Sequence, residues 1–185
     1  LAVLQKLQAA KECFLPAQGD TFVGKHQAYL ADNHSLLKLF SNEQLGILLK
    51  QPEAHWIFPS ITDNSILWQY VKDNLTANQN TITPSHLVMK ISDTFMQQQP
   101  DDWLIQFYSY LLEKSRYLWN EKHKKETLRT KPILRLTNDQ MVSPYDNQGK
   151  LQVYLPTDQD SDYPTVKSCF VADEKSLQFL TELGL

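Results

Sequence analysis

Apolar residues recur at helical spacing through the middle of the chain and predict several helices there. The longest series begins after Pro100 and predicts a core helix from Asp101 or Asp102 to about Trp119. Before it, Thr83-Pro84 combines a capping residue with a proline of the first turn, which is typical of a helix start. We expect that helix to continue until Pro100 ends it.

Shorter helices are predicted on either side by their terminal residues. Ser41 is expected to cap a helix over residues 42–50, and Asp63 to cap the next one, which ends near residue 75. Near the end of the chain, Asp173 predicts the start of a final helix and Gly184 its C′ residue.

Short apolar runs joined by polar turns predict two antiparallel hairpins. Their strands are residues 14–16 with 21–23, and residues 133–136 with 141–142. Residues 151–155 alternate like a half-buried strand, whereas Trp56-Ile57-Phe58 fits either a buried strand or an extended packing segment. The whole pattern predicts an α+β fold, mostly helical in its core, with short antiparallel hairpins at the N-terminal end and in the C-terminal third.

The length of 185 residues fits one large domain or two small ones. We expect a single α+β domain over residues 1–185, excised from a larger protein, because the chain begins at Leu1 instead of Met and stops just after a helix-end signal. The texture changes near residues 120–130. If the domain has sub-lobes, this change predicts a mainly helical 1–127 and a 128–185 lobe of small β structure plus the final helix.

Charge is unevenly distributed along the chain. The net charge is -3, but residues 113–135 hold eight Lys or Arg against three Glu, so this stretch carries +5 and the remainder -8. Clustered basic residues can neutralise phosphates of a nucleotide or a nucleic acid. The candidate binding residues are Lys122, Lys124, Lys125, Arg129, Lys131 and Arg135. The simpler interpretation of the same stretch is the solvated end of a long helix.

Other familiar chemistry has no local support in the sequence. Cys13 and Cys169 share no metal-type spacing and do not make a disulfide framework, so we expect free thiols in a reducing, cytoplasmic compartment. Asp158, Asp160 and Asp162 alternate, but without the glycine and glutamate of a calcium loop they predict a solvated acidic loop. No glycine-rich phosphate loop, nucleophile elbow or membrane-length apolar run is present. We therefore predict no catalytic residue, no metal site and no membrane contact in this chain.

Five stretches resemble the large bacterial sacsin-like or No Vein-like proteins, which carry an N-terminal ATP-binding domain of the GHKL class. In chain order they are Phe14-Leu15-Pro16 with Phe22-Val23, Asp101 to Tyr108, Lys131 to Leu136, Val153 to Pro156, and Tyr163 to Lys167. They span nearly the whole chain, and their order is more specific than any single motif. The resemblance implies the middle region and not the ATPase, because the chain lacks the Asn-bearing helix and glycine-rich lid that hold Mg-ATP.

That resemblance implies a non-catalytic structural and interaction domain of an ATP-dependent, chaperone-like protein. ATP and magnesium would belong to the adjacent domain, with no cofactor here, and the chain would couple that domain to a protein partner or to neighbouring domains of the same polypeptide. Middle domains of other GHKL proteins reach into the nucleotide site with a Lys or Arg; by analogy Arg129, Lys131 or Arg135 would play that part. The alternative is a nucleic-acid- or phosphate-binding module that uses residues 122–135.

Overall fold

The computed structural model describes residues 14–75, 80–120, 128–157 and 163–185. The chain divides into two compact units, Leu1–Leu87 and Val88–Leu185. Helices and short hairpins confirm the predicted α+β class, and a small parallel sheet adds to it. The division near residue 88 differs from the 1–127 and 128–185 sub-lobes considered from the sequence.

The first unit combines five short strands with three helices and a 3₁₀ turn in its described residues. The strands are β1 Phe14–Ala17, β2 Thr21–Gly24, β3 Ala28–Ala31, β4 His55–Trp56 and β5 Thr81–Ile82. The helices are α1 His34–Leu39, α2 Asn42–Leu49 and α3 Ser65–Asn74, with the 3₁₀ turn at Pro59–Asp63 before α3. A further helix, α4 Pro84–Lys90, begins at the end of this unit.

A predicted hairpin and an unpredicted parallel sheet meet in the first unit. Strands β1 and β2 pair antiparallel, as expected. Strand β3 lies between β4 and β5 and is parallel to both. An antiparallel bridge between Ala17 and Ile57 joins the hairpin to the β4 side of the sheet. Buried Leu15, Val71 and Trp56 illustrate the apolar core that the sheet and helices enclose.

The second unit contains the longest helix of the described chain and the second predicted hairpin. Its helices are α5 Asp93–Gln97, α6 Asp101–Lys114, α7 Ser168–Ala172 and α8 Glu174–Leu183. Its strands are β6 Leu134–Arg135 and β7 Met141–Val142, which pair antiparallel, and 3₁₀ turns lie at Arg116–Leu118 and Leu128–Thr130.

Aromatic packing explains why the C-terminal third is not a separate lobe. Tyr108 of α6 stacks on Phe179 of α8 with ring centroids 5.1 Å apart, and it packs edge-to-face with Phe170 of α7. Its buried hydroxyl donates a 2.7 Å hydrogen bond to the carbonyl of Ile133. Because one side chain of α6 reaches three segments of the C-terminal third, that third shares its core with the long helix.

Several predicted helix ends are confirmed. Ser41 makes a full capping box with Gln44, and Asp173 accepts from the backbone of Ser176 at the start of α8. Gly184 ends α8 in the left-handed conformation. The cap of α3 is Asn64 and not the predicted Asp63, because the Asn64 side chain accepts from two free N–H groups of the first turn.

Other predicted boundaries are wrong because tertiary contacts and local caps interrupt the apolar periodicity. The helix from Thr83 stops at Lys90, and Ser92 caps the separate α5. Helix α6 ends at Lys114 instead of Trp119, whose indole N–H folds back to the carbonyl of Leu111 at 3.1 Å. Residues 151–155 form only isolated bridges at Leu151 and Tyr154, not a strand.

Candidate functional site

Arg135 is a buried structural centre of the second unit. Its side chain lies on β6, is only 7% exposed and donates from Nη1 to the Asp101 carboxylate at 2.6 Å. Its Nη2 donates to the carbonyls of Gln99 at 2.6 Å and Met96 at 3.2 Å. The guanidinium therefore satisfies carbonyls at the end of α5, where a cation is favoured, and holds the first turn of α6. A bound phosphate would have to displace these contacts.

Asp101 links Arg135 to a second cation. The Nζ atom of Lys167 lies 2.9 Å from Asp101 Oδ2 and 2.5 Å from Asp139 Oδ1. Burial alone would raise the pKa of Asp101, but the hydrogen bonds and charges of Lys167 and Arg135 outweigh it and hold that pKa below its usual range. The hydrogen bonds of Lys167 to Asp139, the larger cause, and to Asp101 raise the pKa of Lys167. These charges therefore stabilise one another across four segments of the unit.

The thiol of Cys169 lies beside this charge network but is not activated by it. Its Sγ atom is 3.9 Å from Asp101 Oδ2. Burial, and then the negative charge of Asp101, raise the pKa of Cys169 above its ordinary value. A nucleophilic cysteine needs the opposite shift, because the thiolate is the reactive form. Cys169 is a free thiol, as the sequence predicted, whereas Cys13 lies outside the described residues.

Arg129 serves a different set of contacts near the end of α8. Its guanidinium carbon lies 4.0 Å from the centroid of the Tyr145 ring, and Nη1 donates to the carbonyl of Trp119 at 3.3 Å. Tyr145 in turn donates from its hydroxyl to the carbonyl of Leu183 at 2.9 Å. Arg129 thus anchors the 3₁₀ turn that contains it beneath the C-terminal helix, and it is buried there.

The remaining predicted basic residues are placed differently. Lys131 is half-buried, and its ammonium makes no hydrogen bond or ion pair with the described parts of the chain. Lys122, Lys124 and Lys125 lie outside the described residues. Of the three candidates in the described residues, Arg129 and Arg135 are buried in contacts with other side chains and carbonyls, and the Lys131 ammonium makes no such contact.

The first unit carries a cavity that the sequence did not predict. It has a volume of about 200 Å³ and lies at the carboxyl ends of the parallel strands β3 and β4; we call it the sheet-edge cavity. Its apolar lining comes from the end of β3, the segment after β4, α1 and the 3₁₀ turn, and comprises Leu30, Ala31, Leu37, Ile57, Phe58 and Ile61. Carboxyl ends of parallel strands are the usual place for ligands in sheets of this kind.

Three polar residues that follow β3 complete the lining. The backbone N–H of Asp32 donates to the carbonyl of Ile82 at 2.9 Å, which holds the chain against β5 as it leaves the sheet. The Asn33 side chain accepts from the backbone of Leu36 and caps α1. Within the described ranges, the Asp32 carboxylate and the His34 imidazole have no hydrogen bond or ion pair, so both are available to a ligand.

Sequence reasoning missed this cavity because it missed the sheet. Strands β4 and β5 have two residues each, too few to show a period, and their pairing with β3 joins segments about 25 to 50 residues apart. The available signal was the Ala28–Ala31 run followed at once by Asp32, a polar residue directly after a short apolar segment.

No group of three or more His, Cys, Asp or Glu side chains in the described ranges is arranged to hold a metal ion. None of the described helices combines the length and the apolar character that crossing a membrane requires.

Comparison with family models, with curated proteins and with solved structures finds no match to this chain.

Proposed function

We propose that this chain is a non-catalytic interaction domain whose contact site is the sheet-edge cavity. The observation that carries the proposal is the composition of that cavity: an apolar lining with the carboxylate of Asp32 and the imidazole of His34 unpaired among the described residues. Its volume of about 200 Å³ is below the roughly 300 Å³ at which small-molecule pockets usually begin. A single side chain of a partner suits this space better than a whole cofactor.

The resemblance to sacsin-like and No Vein-like proteins supplies the proposed setting. In that setting the chain couples an adjacent GHKL-type ATPase domain to a partner or to neighbouring domains of a cytoplasmic, ATP-dependent protein. ATP and magnesium belong to the ATPase domain. Arg129 and Arg135 are held by contacts within the second unit. Lys131 is therefore the basic residue that we propose reaches the nucleotide.

The coupling is tested by ATP turnover of the longer protein with and without residues 1–185. Turnover that collapses on deletion while nucleotide binding survives supports a coupling domain, and unchanged turnover rejects it. Lys131→Ala is compared with Lys150→Ala, which removes an exposed lysine of the same unit. Loss of turnover in the first variant alone identifies Lys131 as the coupling residue.

The contribution of the cavity is tested by filling it in the same longer protein. Leu37→Trp places a larger side chain in the lining, and Ile47→Trp makes the same change on the exposed face of α2. We expect the first variant to reproduce the effect of the deletion and the second to behave as wild type. Equal behaviour of the two variants would exclude the cavity as the contact site.

The positive charge of residues 113–135 favours a second candidate function, a phosphate- or nucleic-acid-binding module. With Arg129 and Arg135 held in protein contacts, such binding would depend on Lys131 and on lysines outside the described residues. Its signature is an affinity for single-stranded oligonucleotide that falls steeply as salt concentration rises. An affinity independent of salt, or no binding, rejects this candidate.

A further inference from the structure

We propose that the sheet-edge cavity binds a lysine side chain of a partner protein, with Asp32 as the counter-ion of its ammonium group. This inference rests on the proposed function, because a partner protein must supply the side chain.

The negative charge of Asp32 in the cavity lining favours a ligand with a positive charge. Asp32 is exposed in the lining, and no cation of the described chain pairs with its carboxylate. A carboxylate accepts hydrogen bonds only, so it matches an ammonium or guanidinium donor and repels an anion. His34, the other unpaired polar group, adds a ring nitrogen that can accept a further bond from the same donor in its neutral form.

The lining matches the body of a lysine side chain. Leu30, Leu37 and Ile61 offer an apolar surface, and a lysine buries its methylene stem on such a surface while its charged end stays at a polar edge. Phe58 is 40% exposed in the same lining, and an aromatic ring attracts a nearby cation. A compact ammonium has three donors that point in different directions, so it can bond the Asp32 carboxylate and the His34 ring together, whereas the planar fork of arginine favours two parallel bonds to one carboxylate.

The backbone around the cavity is held in place before a ligand arrives. The N–H of Asp32 bonds β5, and the N–H of Phe58 donates to the carbonyl of Pro16 in β1 at 3.2 Å. The two strands that end at the cavity are themselves paired, Tyr29 opposite Trp56. Binding therefore orders few groups of this chain, which lowers the entropic cost of association.

The test uses Nα-acetyl-lysine N-methylamide as the probe, which keeps the side-chain ammonium group. Binding is followed by the backbone amide NMR signals of the whole chain. Its matched control is N-acetyl-norleucine N-methylamide, which keeps an apolar stem and lacks the ammonium group. We expect the lysine probe to shift the amides of Ala31, Asp32 and Ile61, and the norleucine probe to bind at least about fivefold more weakly. Equal binding of the two probes, or shifts elsewhere in the chain, would overturn the inference.

Variants make the test specific to the named residues. Asp32→Asn removes the charge and keeps the shape, and should weaken the lysine probe about fivefold. Its control, Asp20→Asn, removes an exposed carboxylate from the β1–β2 turn, where the positive φ of 54° suits asparagine. Phe58→Leu should weaken binding about threefold by removing the aromatic face. Retention of full affinity by Asp32→Asn would rule out the counter-ion role.

A further arm identifies the source of the ammonium group. If n-butylammonium bound tenfold more tightly than the lysine probe, a free amine would be the occupant and the partner assignment would be wrong. The proposed function can fail independently of this inference. If the lysine probe binds but deletion of residues 1–185 leaves ATP turnover unchanged, the lysine site stands and the coupling role is rejected. If the deletion abolishes turnover but the lysine probe does not bind, the coupling role stands and this inference is rejected.

Discussion

Arg135 of β6 and Asp101 of α6 form a 2.6 Å ion pair whose arginine side chain is 7% exposed. The pair joins residues 34 positions apart, and the second guanidinium nitrogen satisfies carbonyls at the end of α5. One arginine thus connects the hairpin to two successive helices. The sequence predicts Arg135 as a phosphate or nucleotide ligand, whereas the contacts that it makes in the fold are those of a structural residue.

Replacing Arg135 by methionine should lower the free energy of unfolding by about 3 kcal/mol. The change leaves the carbonyls of Met96 and Gln99 without this donor and Asp101 without its buried partner. Urea denaturation followed by near-UV circular dichroism measures the effect. Arg135→Lys should recover only part of the loss, because one ammonium cannot replace the guanidinium fork. A variant as stable as wild type would contradict the structural role.

The ion pairs of Asp101 should make stability depend on acid pH. Its folded pKa is depressed, so the stabilisation is fully present above the ordinary carboxyl value of 3.8 and is lost as pH falls through the folded pKa. We expect the urea midpoint to fall less steeply on acidification below pH 4 in Asp101→Asn than in wild type. Parallel pH profiles of the two proteins would exclude this contribution.

Tyr108→Phe should destabilise the chain by about 1 kcal/mol. The buried hydroxyl donates to the carbonyl of Ile133, and its removal leaves that acceptor without the bond while the ring stacking remains. Burial raises the pKa of Tyr108 far above that of a free tyrosine, so this bond is expected to persist in alkaline solution. Tyr117→Phe is the control, because Tyr117 is exposed, and it should leave the urea midpoint unchanged.

Gly184→Ala should cost more stability than Gly149→Ala, although both glycines have positive φ. An added Cβ at Gly184 would clash with the Tyr145 hydroxyl oxygen, whereas nothing lies within 4 Å of one at Gly149. The left-handed backbone alone costs about 1 kcal/mol for alanine, which both variants share. Thermal unfolding of the two variants measures the remainder, and equal losses would show that the Tyr145 contact yields without cost.

Local signals were sufficient to predict the helix ends that depend on hydrogen bonds between neighbouring residues. Ser41, Asp173 and Gly184 act within three or four positions of themselves, so their roles can be read without the rest of the fold. The same applies to the two hairpins, whose strands are joined by short turns. The end of α6 could not be predicted, because the apolar series continues to Trp119 and only the fold shows that its indole turns back.

The α+β class, the apolar faces, both hairpins and the caps at Ser41 and Asp173 could be predicted from the sequence, because each of these depends on residues close together in the chain. Tertiary structure alone decided that Arg129 and Arg135 lie in the core, since their partners Trp119, Tyr145 and Asp101 come from other segments. It also decided the parallel order of β4, β3 and β5 and hence the cavity beside Asp32. A charge in a sequence has no stated partner, and only folding determines whether it meets another charge, a carbonyl or solvent.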